Sequence, residues 1–184
     1  MFVGNNIQLT PIQRSFLPAI TKWIYDPNIF LNTFFRDPFP LTLEQLEEWF
    51  QNLGRDPNSR VFALQTLKDN HFIGEVALRE IDWKNRSAQY AILIGESEYR
   101  GKGYGIETTK LVLEYAFSEL ALHRIEARVL DDNYRAARCF ENSNFRKEGT
   151  LYESVWRKSK WYNIIVYSIL ASQWNKGIEL QASV

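Results

Sequence analysis

Polar and apolar residues alternate from Asn6 to Ile12, the two-residue period of a strand. From Arg14 to Tyr25 the rhythm changes: Phe16, Leu17, Ile20, Trp23 and Ile24 fall three and four residues apart, the stripe of a helix. Pro27, Pro38 and Pro40 interrupt regular structure between Asp26 and Leu41, where Phe30, Leu31, Phe34, Phe35 and Phe39 crowd together, so an aromatic loop is expected. Thr42 and Gln45 have the spacing of a capping box, and Leu46, Trp49, Phe50 and Leu53 give the following helix one apolar face up to Gly54. After a turn at 56–59, strands are predicted over Val61 to Leu67 and Phe72 to Ile81, joined as a hairpin near 68–70. A turn at 82–86 leads to a third strand, which completes an antiparallel meander.

That third strand, Tyr90 to Ile94, is a short aromatic and β-branched run ending at Gly95, and its composition predicts burial on both faces. Beyond it, Ile106, Thr109, Leu113, Phe117 and Leu120 mark a long helix. Next, Ile125, Ala127 and Val129 alternate with Arg124, Glu126 and Arg128, a strand over His123 to Leu130. A helix between two strands implies a parallel crossover. Asn133 caps a helix to about Asn142, and strands over Phe145 to Trp156 and Trp161 to Leu170 close the chain. The predicted fold is α/β, a mixed sheet with antiparallel outer strands and one parallel pair in the middle.

Between the third strand and the long helix stands Arg100-Gly101-Lys102-Gly103-Tyr104-Gly105. Glycines at alternate positions let the backbone take positive φ and let a ligand approach closely. The helix start supplies unpaired N–H groups and the positive end of its dipole, and Arg100 and Lys102 add formal charge, so the loop suits a pyrophosphate. Two other phosphate loops are excluded by position. The dinucleotide fingerprint needs glycine where Ile106 stands, and the P-loop needs serine or threonine where Gly103 stands.

Composition narrows the function classes. The 184 residues, 45% hydrophobic and 15% aromatic, suffice for one domain, 1–184, with a full core. Lys+Arg and Asp+Glu number 22 each, so no long-range field draws the chain to nucleic acid or an anionic membrane. A single cysteine, Cys139, excludes an internal disulfide and a cysteine-based zinc cluster. With no signal peptide or long apolar span, a cytoplasmic protein is expected, without a resident metal.

The spacing of Arg100, Gly103 and Gly105 resembles the acetyl-CoA loop R/Q-x-x-G-x-G/A of the GNAT N-acetyltransferases. Wider blocks extend the likeness: IDWKNRSAQYAILIGESEYRGKGYG, YAFSELALHRIEARV, and Asn133 to Phe145 followed by RKEG. Together these span about Ile73 to Trp174 and resemble the RimJ/RimL-like branch, named for ribosomal-protein N-terminal acetyltransferases. The resemblance implies the GNAT acyl-CoA N-acyltransferase fold, in which the strand of Tyr90 to Ile94 splays from that of His123 to Leu130. It also implies acetyl-CoA as cosubstrate. Backbone groups of Ile92 and Ile94 would hold the pantetheine arm, with Leu93 between them at the cofactor. Arg100, Gly101, Lys102, Gly103, Tyr104 and Gly105 would hold the diphosphate. Asn133 matches the motif asparagine that contacts the arm, a role compatible with capping its helix, and Arg138 and Phe140 lie beside it.

The likeness breaks at the catalytic positions. Gln89 stands where many members carry a glutamate base, Phe140 where others carry a tyrosine acid, Ala136 at the branch's serine and Asn144 at its usual glycine. An amide or a phenyl ring takes and gives no proton at neutral pH. Among Glu75, Glu80, Tyr90 and Glu96, the expected base is Glu75, acting through water; His123 reads as a turn residue and His71 as solvent-exposed. An α-amine, with a pKa of about 7.7–8.0, is deprotonated more easily than a lysine-type amine at about 10.4. The expected acceptor is therefore a protein or peptide N-terminus. The alternatives are a small amine, polyamine or aminoglycoside-like, which would call for acidic residues in the cleft, or a non-catalytic acetyl-CoA-binding module. The 30–39 loop and the helix Leu43 to Leu53 are expected to wall the acceptor cleft. Tyr152, Trp156 and the turn at 158–160 would form a second wall, unless their aromatic surface is core or the contact of a homodimer.

Overall fold

In the computed structural model, which describes residues 2–30 and 41–174, eight strands of the described chain form one sheet. They are β1 (Phe2–Val3), β2 (Ile7–Thr10), β3 (Arg60–Thr66), β4 (Phe72–Asp82), β5 (Ser87–Ile94), β6 (Arg124–Leu130), β7 (Arg146–Arg157) and β8 (Lys160–Leu170). The order is β1-β2-β3-β4-β5-β6-β8-β7, and every neighbouring pair is antiparallel except β5 with β6. The helices are α1 (Leu17–Tyr25), α2 (Pro27–Phe30), α3 (Leu43–Asn52), α4 (Tyr104–Glu114) and α5 (Tyr134–Glu141).

Both arms of the capping box at α3 form: the Thr42 hydroxyl accepts from the Gln45 N–H, and the Gln45 side chain accepts from the Thr42 N–H. Leu17, Ile20 and Trp23 of α1 and Leu46 of α3 pack with Ala63 and Phe72 on one face of the sheet. On the other face α4 buries Val112 and Leu113 against Val76, Leu78, Tyr90 and Ile125. These two clusters hold the sheet from both sides and fix β4 and β5 between them.

Three expectations need correction. Pro27 opens the short helix α2 instead of a loop, because proline is pre-set for a first helical turn; residues 31–40, the rest of the expected aromatic loop, lie outside the described residues. The buried stripe of α4 keeps the expected Thr109 and Leu113 but is completed by Thr108 and Val112, while Ile106 turns to a groove. A π turn follows at Tyr115–Glu119, where Ala116 is buried and Phe117 is not. Finally, Ala91 to Ile94 are only half-buried, since β6 no longer accompanies β5 there.

Across β6, β7 and β8 runs a ladder of ion pairs. Arg124 donates to Glu148 at 2.7 Å and to Glu126 at 3.2 Å, Arg128 donates to Glu126 at 2.9 Å, and the Ser168 hydroxyl donates to Glu148 at 2.6 Å. The Arg124 guanidinium, and after it the Ser168 hydroxyl, hold the Glu148 carboxyl down to about 2. A carboxyl depressed in the fold stabilises it fully above its unfolded value, and that contribution is lost as pH falls through 2. Glu148→Gln is therefore expected to destabilise the fold at pH 7 by no more than about 1 kcal/mol, because the pair is exposed, and so to lower Tm. The gap to wild type should close between about pH 4 and pH 2 in a pH series of thermal melts.

Among the described residues no helix is long and apolar enough to cross a membrane.

Candidate functional site

β5 and β6 pair over only four rungs, from Ser87 opposite Arg124 to Tyr90 opposite Ala127. Beyond Tyr90, β5 runs on to Ile94 and β6 to Leu130 without pairing, and a groove of about 890 Å³ opens at the splay. Which backbone groups face it follows from the alternation of peptides along a strand. The Arg124 N–H donates to the Arg86 carbonyl at 3.2 Å, so even-numbered residues of β5 turn their peptide groups toward β6. At the other end the Gly95 N–H donates to the Ile73 carbonyl at 2.8 Å, so odd-numbered residues turn toward β4. Ile92 therefore presents N–H and C=O to the gap and Ile94 its N–H, the Ile94 carbonyl accepting from Arg100. Leu93 presents neither: its peptide groups face Glu75 on β4, and it lines the groove by its side chain.

At the groove's far end, Gly101 has φ 74° and Gly103 φ 89°, conformations costly for other residues. Gly103 is the N-cap of α4 and brings no side chain to its free amides; the Glu107 N–H bonds the Gly103 carbonyl, and those of Tyr104, Gly105 and Ile106 precede it. A Cβ on Gly105 would lie 3.2 Å from the Cys139 sulfur, so the missing side chain lets α5 close on α4. Arg135 and Arg138 of α5 line this end, and burial with Arg135 nearby lowers the pKa of Arg100.

Three loop residues are engaged or placed otherwise than expected. Arg100 donates through Nε to the Ile94 carbonyl at 2.8 Å and through Nη2 to the Gly95 carbonyl at 2.7 Å, so its guanidinium braces the loop against β5. Lys102 is exposed, and neither it nor Tyr104, whose ring lies 5.7 Å from that of Tyr99, belongs to the groove wall. Asn133 caps α5, its Oδ1 accepting from the Ala136 N–H at 3.2 Å, and also lines the groove. Phe140 sets its ring edge-on to that of Tyr90 at 5.8 Å.

The groove passes through the splay to the opposite face, where Glu75 and Arg79 of β4 and Arg128 of β6 stand around a floor of Ala77 and Ala91. Among the described residues Glu75 is the one carboxylate in the wall; its side chain is 15% exposed, and Arg79 Nη2 lies 3.9 Å from its Oε1. The other candidates are committed elsewhere. Glu80 accepts from the Gln89 amide, and Glu96 accepts from the Trp23 indole at 3.0 Å and Lys22 at 3.1 Å. Burial opposes ionisation of Glu96, but these bonds outweigh it and lower its pKa. Tyr90 is 4% exposed and burial drives its pKa well up. His71 and His123 are exposed, as are Tyr152 and Trp156 on β7. Arg79, Arg128 and Arg135 escaped the reading from sequence, although the alternation that placed Ile125 and Val129 inward already set Arg128 on the other face.

Residues 6–146 match the family model described as acetyltransferase (GNAT) domain. The chain belongs to the GNAT acetyltransferases. It is thereby an acetyl-CoA-dependent N-acetyltransferase with an amine as acceptor. The spermidine N(1)-acetyltransferase of Vibrio cholerae is 28% identical over 172 residues, 94% of this chain and 97% of that one. The probable N-acetyltransferase YjcK of Bacillus subtilis is 35% identical over 130 residues, 69% of this chain and 70% of that one. Among solved structures, spermidine N-acetyltransferase from Vibrio cholerae in complex with CoA and spermine superposes with a TM-score of 0.84 at 28% identity, over 92% of this chain and 98% of that one. The mixed sheet with a single splayed parallel pair is the GNAT fold.

Proposed function

We propose that this GNAT enzyme acetylates a primary amine of a small, polyamine-type molecule. The observation that carries this is the continuity of the groove, from the uncapped amides of α4 through the splay to Glu75 on the opposite face. Acetyl-CoA supplies a thioester carbonyl carbon. The α4 amides, with Arg135 and Arg138, suit its diphosphate, and the N–H and C=O of Ile92 suit an amide of its arm as a further strand would. Asn133, with its side-chain NH₂ free among the described residues, stands beside that path.

In the reaction the amine nitrogen bonds to the thioester carbon, the C–S bond breaks, and the amine gives up a proton. Glu75 receives the proton directly or through water, and the Ile94 N–H, held toward the gap by the Arg100 brace, stabilises the oxygen as it gains charge. Phe140 offers no acid, so the departing thiolate takes its proton from solvent.

The choice of a small amine replaces the expected peptide N-terminus and the ribosomal-protein branch. It is supported by relatives that act on spermidine and match over nearly the whole of both chains. A second reading, an amine that also carries an acidic group, is favoured by Arg79 and Arg128, because guanidinium groups in the wall repel further ammonium groups. Acetyl-CoA consumption over spermidine, spermine, monoamines, amino acids and N-terminal peptides is the test. The proposal expects the highest kcat/KM on polyamines. Turnover confined to peptides would overturn it, and turnover confined to amino acids would establish the second reading.

A further inference from the structure

The two halves of the proposed acetyl-CoA site belong to different elements. The arm runs along β5, the diphosphate sits on the first turn of α4, and a loop rich in glycine joins them. Arg100 ties the loop to the end of β5. A second tie lies deeper, at the rung where β5 and β6 part. The Tyr90 hydroxyl is 2.9 Å from Thr109 Oγ1, and Thr109 Oγ1 is 2.7 Å from the Gly105 carbonyl oxygen. The proton positions follow from valence. The carbonyl can only accept, so the single Thr109 hydroxyl proton goes to Gly105, and Tyr90 must be the donor to Thr109. Tyr90 is 4% exposed and Thr109 fully buried, so no water substitutes for either bond.

We infer that Tyr90 is a positioning residue: through Thr109 and Gly105 it sets the first turn of α4 at a fixed height above β5, so that arm and diphosphate are held in one register. The inference rests on the reading of the groove as the acetyl-CoA site. The surroundings leave the hydroxyl no other task. The ring is already held by Phe140 at 5.8 Å and Phe145 at 6.3 Å, which accounts for an aromatic here but not for a phenol. The relay ends in the very turn whose amides precede the first bonded one, and the Cys139 sulfur packs beside Gly105 from α5. A shift of that turn changes the distance between the two half-sites, which matters only to a donor long enough to reach both.

The experiment compares acetyl-CoA with S-acetylpantetheine, which keeps the thioester and arm but lacks the diphosphate. In the wild type, acetyl-CoA should have much the lower KM. Tyr90→Phe keeps the ring, and Thr109→Val removes the hydroxyl at nearly constant shape. Each should raise KM for acetyl-CoA by about five- to tenfold, the weight of one hydrogen bond, with kcat within about twofold. KM for S-acetylpantetheine should stay at the wild-type value in both. Thr109→Ser, which retains the relay, should behave as wild type, and the double variant should be no worse than either single one, as expected for groups acting as a unit. Equal losses with both donors, or none with either, would overturn the inference. A wild type that does not distinguish the two donors would instead overturn the diphosphate seat on α4, and the inference with it.

Discussion

Glu75→Gln is expected to lower kcat about 100-fold while leaving KM for acetyl-CoA unchanged, the effect of removing a positioned base. Glu75 lies on β4 opposite Leu93, on the face of the splay away from α4, and is the single carboxylate among the described residues of the groove wall. An amide of the same shape keeps the packing and the contact with Arg79 but takes no proton. The loss should depend on the acceptor. An amine with a pKa near 8 gives up its proton about two units more readily than one near 10, so the variant should favour weakly basic amines more strongly than wild type does. Glu80→Gln is the control, since Glu80 sits on the same strand but bonds Gln89 outside the groove, and rates should not change. A Glu75→Gln enzyme with wild-type kcat across the amine series would remove Glu75 from the mechanism.

Gly103→Val is expected to raise KM for acetyl-CoA about 100-fold, the equivalent of losing one or two charge-assisted hydrogen bonds. Gly103 has φ 89°, and a Cβ placed on it meets no protein atom within 4 Å, so a side chain there would stand in open space beside the free amides. Strain of about 1–3 kcal/mol in the left-handed region should lower Tm as well. Gly54 separates the two effects, because it has φ 80° and equally open surroundings but lies at the end of α3, away from the groove. Gly54→Val should lower Tm comparably and leave KM untouched, as steady-state kinetics and thermal melts on the pair would show. Equal KM for the two variants would mean that the α4 amides hold nothing.

Much of the architecture was legible because its signals are local. The capping box of Thr42 and Gln45, the alternation from Arg124 to Leu130 and the Asn133 cap each depend on residues within a turn or a strand of one another, and all three stand in the structure. The errors also have local causes. Pro27 has the look of a breaker although proline also starts helices, and hydropathy alone undervalues Thr108, which with Thr109 lets α4 approach the sheet, each bonding its own i−4 carbonyl at 2.7 Å. The charge of Arg100 and its place in the loop suggest a phosphate ligand. Its partners are carbonyls of Ile94 and Gly95 whose direction is set by the end of β5.

The sequence by itself determined the elements, their order and the glycine turn feeding a bare helix start. Those properties are carried by residue type and by periods of two and 3.6, which act over a few residues. Tertiary structure alone decided that β5 and β6 part just after Tyr90 and that Glu80 and Glu96 are bound elsewhere while Glu75 stands in the gap. Each of these depends on the register between strands far apart in the chain, set by how two apolar clusters pack on opposite faces of one sheet, and no local pattern encodes such a register.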